Sequence, residues 1–338
     1  MGLKISDIVP RREITFEELS GKIIAVDTSQ MLYQFLSSIR QPDGTPLMDS
    51  QGRVTSHLVG IFSRISNLLG KGIKPCFVFD GKPPEIKHRE LAERKERKKE
   101  AEEKLEEARE EEDEEAALKY AKQSTRLNDE MINEAKKLLE AMGLPVVQAP
   151  SEAEAQAAFI CRNGDAWAVA SSDYDCLLYE APRIVQSLTL ATKKKLPFGG
   201  YAAVKPELVE YKAVMESLGI SHEQLMALAI LIGTDYNTKG VKGIGPKNAL
   251  KIVKEHKTLK AVFASVNADF DWEEIYNTFK KMPLEKHYSI RFGKVDEEGI
   301  RELLVKEHDF SSERVEKTLL SLKQEEKKKQ QAGLSRFF

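Results

Sequence analysis

The sequence predicts an α/β protein built on a mainly parallel sheet with helices packed over it. Short apolar runs, KIIAVD at 22–27 and KPCFVFDG at 74–81, read as buried strands. Helical spacing fills the interval between them, in TSQMLYQFLSSIR and again in HLVGIFSRISNLLG, which closes on Gly70. Strand, helix, strand is the repeating unit of a parallel sheet. The chain is also long enough for a real core: 338 residues, 41% hydrophobic, suggest one large domain or two intimate ones.

The remaining elements follow in order. QPDGTPLMDSQGR at 41–53 is turn-rich, with Asp43-Gly44 as the signal. Residues 85 to about 130 are highly charged and rich in helix formers, basic first and acidic after. A charge run usually means a solvated helix or a linker. Here the basic half directly follows Asp80, which places cations beside that acid. Residues 130–144 read as an amphipathic helix ending at Gly143, and PVVQAP as a short strand. Ser151 is the expected N-cap of SEAEAQAAFICRNG. AWAVASSDYD reads as strand then loop, 183–190 and 195–203 as further strands, and SHEQLMALAILIG as a helix. KQEEKKKQQAGLSRFF reads as a charged linker with an aromatic tip.

Composition narrows the class. Charge is nearly balanced, with 52 Lys+Arg against 54 Asp+Glu, so its distribution carries the information rather than its sum. Cys76, Cys161 and Cys176 form no C-x-x-C pair and sit in apolar contexts, as buried thiols in a reducing compartment do. MGLKISDIVP lacks the apolar stretch of a signal peptide, and no run approaches the roughly 18 apolar residues of a membrane span. A cytoplasmic protein with no membrane partner is expected.

Carboxylates recur where strands end. Asp27 ends IIAVD, Asp80 ends CFVFD, and Asp173 and Asp175 follow AVAS. Glu152 and Glu154 open a helix after PVVQAP, and Asp235 follows the helix ending LIG. Each alone reads as a cap or a turn residue. Together they could converge on the C-terminal edge of a parallel sheet, where ligands bind. So many like charges repel strongly in a partly dry site. Hard divalent cations bound through oxygen are the usual compensation, Mg²⁺ or Mn²⁺, and no histidine is needed. Two ions about 4 Å apart can clamp a phosphodiester, activate a water and stabilise the leaving oxygen.

GVKGIGPKNALKI at 240–252 has a tight glycine loop before a helix start. Gly243 and Gly245 permit close backbone approach to a phosphate, and Lys242, Lys247 and Lys251 add charge. A plain connection between helices is the bland alternative. G-x-G-P-K before an apolar helix is the helix-hairpin-helix pattern of sequence-independent backbone binding, with steep salt dependence.

Taken together, IIAVDTSQMLYQFL, VFDGKPPEIKHRELAERKERKKEAEE, APSEAEAQAAF, SSDYDCLLY, LIGTDYN and GVKGIGPKNALKI resemble, in order, the blocks of the flap endonuclease family, the structure-specific 5′ nucleases of replication and repair, and look closest to archaeal members. The resemblance implies a twisted sheet with helices on both sides. It implies that Asp27, Asp80, Glu152, Glu154, Asp173, Asp175 and Asp235 hold two Mg²⁺ ions. Asp80 and Glu154 would serve mainly one, with Asp27 and Glu152 helping through water. Asp173 and Asp175 would serve the other, with Asp235 nearby. Asp80 and Asp175 are also counted as catalytic, with Lys87 and Arg94. The stretch after Asp80 resembles the family's helical arch, which passes a single-stranded 5′ flap. Lys87 and Arg94, two turns apart, match the arch cations that meet the scissile phosphate. Tyr33 matches a tyrosine that stacks on the base at the cleavage junction, though an apolar helix face would also keep it as core. Residues 37–62 correspond to the region gripping a one-nucleotide 3′ flap.

The tail QAGLSRFF fits Q-x-x-h-x-x-a-a, the peptide box bound by a PCNA-type sliding clamp, with Gln331 as anchor and Leu334, Phe337 and Phe338 entering a pocket. Docking of the tail on its own core is the alternative. The expected organisation is one nuclease domain over 1–322, followed by a tail over 323–338. Within the domain lie an N-terminal region (about 1–98), the arch (about 82–130) and an internal region (about 116–258) holding the helix-hairpin-helix (about 235–258). The expected activity is 5′ flap endonuclease and 5′–3′ exonuclease, in Okazaki fragment maturation and long-patch base excision repair, by a monomer acting on branched duplex DNA. A bubble- or junction-cutting sister enzyme and a non-catalytic DNA-binding clamp adaptor are the rival readings.

Overall fold

A computed structural model describes residues 2–334, apart from 42, 112, 190–192 and 196–200; for 193–195, 201–203 and 325–334 only the backbone is described. In chain order the first elements are β1 (Arg12–Glu13), α1 (Phe16–Leu19), β2 (Ile23–Asp27) and α2 (Thr28–Ser38). Next come α3 (Ser56–Gly60), a π-helical turn at Ile61–Ile65, α4 (Ser66–Gly70) and β3 (Lys74–Phe79). After a 3₁₀ turn at Glu85–Lys87 follow α5 (His88–Glu110), α6 (Glu114–Gln123), α7 (Asp129–Ala141), β4 (Val146–Gln148), α8 (Ala153–Arg162) and β5 (Ala168–Ala170). A second 3₁₀ turn, Asp175–Leu177, leads to β6 (Arg183–Gln186), then β7 (Lys193–Lys195), β8 (Tyr201–Ala203) and β9 (Glu207–Glu210). The rest is helical: α9 (Tyr211–Leu218), α10 (His222–Ile232), α11 (Pro246–Glu255), α12 (Leu259–Ala264), α13 (Trp272–Lys280), α14 (Glu297–Arg301), a π-helical turn at Glu302–Glu307, and α15 (Ser312–Leu334).

The central sheet has the order β1-β9-β6-β5-β2-β3-β4. Five neighbouring strands, β6 to β4, pair in parallel, while β9 and β1 join antiparallel at one edge. A separate antiparallel ribbon pairs β7 with β8. The fold is therefore the mainly parallel α/β sheet that the sequence predicts.

The apolar strand runs exist because both sheet faces are covered. Side chains alternate along a strand. Ile24, Val26, Phe77 and Phe79 enter one core, with Phe35 of α2, Leu58 of α3 and Leu138 of α7. Ala25, Cys76 and Val78 enter the other, with Ala157 and Ala158 of α8 and Leu228 of α10. Small residues on α8 let it lie close to the strands it crosses. The three cysteines are buried and free, and burial pushes the Cys76 and Cys161 thiols up to about 12, which keeps them protonated and inert.

Two local expectations are corrected. Ser151 does not cap α8; its hydroxyl donates to the Lys82 carbonyl at 2.9 Å, and the cap position falls to Glu152, whose side chain makes no capping bond. The first amide of the helix, Ala153 N–H, donates instead to Asp80 Oδ1 at 2.7 Å, so the cap arrives from a neighbouring strand. The charged stretch after residue 322 is no loose linker over its described part. Helix α15 continues to Leu334, because Lys, Glu, Gln and Ala are all good helix formers. Gln331 and Leu334 fall on the backbone of this helix, and Phe337 and Phe338 lie outside the described residues.

A buried polar chain ties the turn after α2 to the C-terminal helices. His308 sits between Asp49 (3.0 Å) and Glu134 (3.1 Å), and Glu134 also meets His57 at 2.9 Å.

Gly81 fixes the position of Asp80. Its N–H donates to the Ser151 carbonyl at 2.6 Å, and a Cβ there would strike the backbone of Ala149 and Pro150. Gly81→Ala is expected to cost about 1–3 kcal/mol by overpacking. It should also displace Asp80 from α8. Urea unfolding measures the first effect, and loss of divalent-cation binding the second.

Candidate metal centre and nucleic-acid interface

The sheet brings the strand-end acids to one place by simple alternation. Asp27 follows Val26 and so falls on the side of Ala25; Asp80 follows Phe79 and falls on the side of Val78. That is the side covered by α8, whose first turn carries Glu152 and Glu154. Asp173 and Asp175 leave β5, the strand beside β2. Asp235 arrives on the loop after α10.

All seven acids of the sequence reading meet in this region. Glu154, Asp173 and Asp175 each offer an oxygen within 4.8 Å of the others. At that spacing each ionised pair repels by about 3–4 kcal/mol at an effective dielectric of 20. Several such terms would rival the whole stability of an ordinary domain. Burial, then Asp175 and Asp173, push Glu154 well above the usual carboxylate range; burial and Asp173 do the same to Asp175. Burial and Asp80 raise Asp27 to about 8. Asp173 and Glu152 are raised mainly by burial, against the pull of Lys87 on Glu152. Asp80 is the exposed member of the set.

Capping alone does not account for these positions. Asp27 Oδ1 accepts Gln30 N–H at 3.1 Å, a bond worth about 1 kcal/mol. Keeping that carboxylate ionised costs on the order of 5 kcal/mol at its raised pKa. Leu3 N–H holds Asp175 Oδ1 at 3.0 Å, and a Cβ on Gly2 would fall on the Asp173 carboxylate. This N-terminal segment was missed in the sequence reading. Its only signal is Gly2 before the alternating Leu3 and Ile5, both of which are buried.

Two cations answer the acids. Lys87 Nζ lies 2.6 Å from Glu152 and 3.1 Å from Asp235. Burial works against its charge, but Glu152 and Asp235 raise its pKa well above the ordinary lysine value. Arg94 reaches Asp235 at 3.6 Å and Glu90 at 2.8 Å. Both therefore project from the same side of the segment after Asp80, as their spacing predicts. Asp235 is lowered, because Lys87 and Arg94 outweigh its burial. Helices α5 and α6 pack against each other, and Arg40 donates to the Thr125 hydroxyl just after α6 at 2.6 Å.

Tyr33 is half-buried rather than core. Lys98 of α5 lies 4.6 Å from its ring centre and 3.3 Å from its hydroxyl. Lys242, Gly243 and Gly245 in the loop between α10 and α11, and Lys247 and Lys251 on α11, are all exposed. Gly243 needs its glycine, at φ +83°. Gly245 is the N-cap of α11, with Pro246 next, and nothing lies within 4 Å of a Cβ built on it. The fold leaves that helix N-terminus open to an approaching group.

The donor set fits hard divalent cations, being all carboxylate, crowded and held back from full ionisation. Glu154 stands beside Asp173 and Asp175 in this set.

Comparison with known proteins adds to this geometry. Two family models match, the XPG N-terminal domain over residues 4–101 and the XPG I-region over 143–235. Flap endonuclease 1 of Staphylothermus marinus is 50% identical over 349 residues, covering all of both chains. Flap endonuclease 1 of Pyrococcus furiosus is 51% identical, over 100% of this chain and 99% of its own. The solved flap endonuclease-1 of Methanococcus jannaschii superposes with a TM-score of 0.78 at 42% identity, over 97% of this chain and 100% of that one. The catalytic core of Rad2 in complex with a DNA substrate shares the fold, with a TM-score of 0.73 at 24% identity, over 95% of this chain and 100% of that one.

The raised acids make the metal-free protein pH-sensitive. A carboxyl with a raised folded-state pKa stabilises the fold below its unfolded value, near 4, and loses that contribution as pH climbs through the folded value. For Asp27 the window runs from about 4 to about 8. In EDTA the melting temperature should therefore fall as pH rises across this window. Asp27→Asn should flatten the slope, and Mg²⁺ should restore stability most at the alkaline end. Thermal melts at a series of pH values, with and without Mg²⁺, check this.

Proposed function

Because this chain belongs to the flap endonuclease family, we propose that it is a divalent-cation-dependent 5′ flap endonuclease, with 5′–3′ exonuclease activity, acting on branched DNA in Okazaki fragment maturation and long-patch base excision repair. The observation that carries the reading is the convergence of Glu154, Asp173 and Asp175 within 4.8 Å at the sheet edge, with Lys87 and Arg94 paired to the neighbouring Asp235.

Asp27, Asp80, Glu152, Glu154, Asp173, Asp175 and Asp235 are the residues that would hold two Mg²⁺ ions, with Mn²⁺ as a substitute. When bound, such ions supply charge at the attacking water and at the leaving oxygen. The protein's own part is positioning. Rigid strand ends and the N-terminus of α8 fix the carboxylates. Lys87 and Arg94 offset negative charge that grows on the scissile phosphate. The paired helices α5 and α6 are the proposed arch, passing a single-stranded 5′ flap. Tyr33 offers a ring face for a base beside the cut, worth about 1–3 kcal/mol if it stacks.

The loop 240–245 and the start of α11 form the proposed helix-hairpin-helix. There, backbone amides and Lys242, Lys247 and Lys251 hold duplex phosphates away from the cut. Gln331, Leu334, Phe337 and Phe338 are the proposed sliding-clamp box. The protein would act as a monomer in the cytoplasm, at replication forks. No described helix is long and apolar enough to cross a membrane.

The test is cleavage of a labelled double-flap DNA with Mg²⁺, beside a bubble, a four-way junction and plain duplex. A single cut at the base of the 5′ flap, lost with EDTA, is expected. Preferred cutting of the bubble or junction would move the protein to a sister activity. Binding without any cutting would favour a clamp adaptor.

Two substitutions sharpen this. Asp175→Ala should abolish cutting and leave flap binding within a few-fold in a gel-shift titration. Lys87→Ala should slow single-turnover cleavage by about 10²–10³, as loss of one charge-stabilising group does.

A further inference from the structure

The ladder of β5 stops at Ala170, which pairs with Val26 on one side and Val185 on the other. Asp173 and Asp175 lie just past that end, where repulsion among the acids works to spread the backbone. Side chains continue the ladder there. Ser172 N–H donates to Gln30 Oε1 at 2.6 Å, and the Ser172 carbonyl accepts from Gln186 Nε2 at 3.0 Å. One glutamine follows β2 and the other ends β6, the two strands that flank β5. A backbone N–H only donates and a carbonyl only accepts, so both amide orientations are fixed.

Gln186 has a second hold. Its Oε1 accepts the Tyr174 hydroxyl at 3.4 Å, and Arg11 Nη1 donates to that hydroxyl at 3.2 Å. Gln186 thus grips the residue before Asp173 and the residue after it. It is only 7% exposed. Alternation puts it on the side of Ile184, the side of the acids, where an apolar residue would pack without a polar group to satisfy. Gln30 ties the same segment to Asp27. Its own N–H holds Asp27 Oδ1 at 3.1 Å, while its side chain holds Ser172. Through the Ser171 hydroxyl, at 3.2 Å, it also reaches Asp173 N–H, which donates to that hydroxyl at 3.1 Å. A single residue therefore sets the spacing between the acids that leave β2 and β5.

Charge decides the residue type. A lysine or arginine here would pair with the acids and compete with a metal ion for them. A carboxylate would add to the repulsion. An amide supplies both a donor and an acceptor with no net charge. Resting on the metal-dependent function proposed above, we infer that Gln30 and Gln186 are positioning residues of the metal centre: from the two neighbours of β5 they clamp the Ser172 peptide, and so aim Asp173 and Asp175 at a divalent cation. Partners that orient metal ligands in this way are typically worth about 10–100-fold in metal affinity.

The test is Mn²⁺ uptake by the full-length protein without DNA, read from loss of the free Mn²⁺ signal in electron paramagnetic resonance, beside single-turnover flap cleavage over a Mg²⁺ series. Gln186→Leu should weaken Mn²⁺ binding about 10–100-fold and raise the Mg²⁺ needed for half-maximal cleavage by a similar factor. Saturating Mg²⁺ should return the rate to within a few-fold of the unaltered protein, which a misfolded site would not allow. Gln30 is half-buried, and Gln30→Met gives an independent reading should Gln186→Leu fail to fold. Unchanged Mn²⁺ affinity in the folded variants, or a rate loss that no Mg²⁺ concentration recovers, would overturn the positioning role and leave the metal centre standing. No Mn²⁺ uptake by the unaltered protein would overturn both.

Discussion

Seven carboxylates crowded at the rim of one sheet set the terms for the rest of the molecule. Left ionised and unattended, they would repel by more than a domain of this size can bear. The surrounding structure meets that repulsion in three ways. Backbone amides of Gln30, Ala153 and Leu3 donate to Asp27, Asp80 and Asp175. Burial shifts several of the acids toward their protonated forms, which weakens the repulsion. Lys87 and Arg94 lean in from the following segment and neutralise Glu152 and Asp235. The acids can stay close because strands and a helix start, rather than loops, hold most of them.

The same arrangement couples the two halves of the site. Lys87 bridges Glu152 at the start of α8 and Asp235 on the loop after α10. Arg94 keeps a second partner in Glu90, a buried carboxylate on its own helix, and so stays aimed even when Asp235 is otherwise occupied.

Much of this was legible in the sequence because it obeys a period of two. Asp27 and Asp80 end apolar runs, and alternation alone assigns them to one face. Lys87 and Arg94 were singled out by the resemblance, and their seven-residue spacing put them on one helix face. What the sequence hid was contact between distant segments. Nothing around Ser151 shows that Asp80, a strand away, takes the amide that a capping serine would have taken. Nothing in MGL announces a backbone N–H aimed at Asp175. The edge strand β1 has two residues, too few to show any period. The helical state of the stretch after 322 was readable from its helix formers, but its charge suggested a loose tether.

That helix has a mechanical meaning. Leu322 of α15 is buried, and the backbone of the helix continues from there to Leu334. Twelve further residues at 1.5 Å each make a boom of about 18 Å, stiff where a coil would be slack. The backbone there spans a fixed distance along one direction, so the spacing between Leu322 and Leu334 is set by helix rise and not by the freedom of a coil.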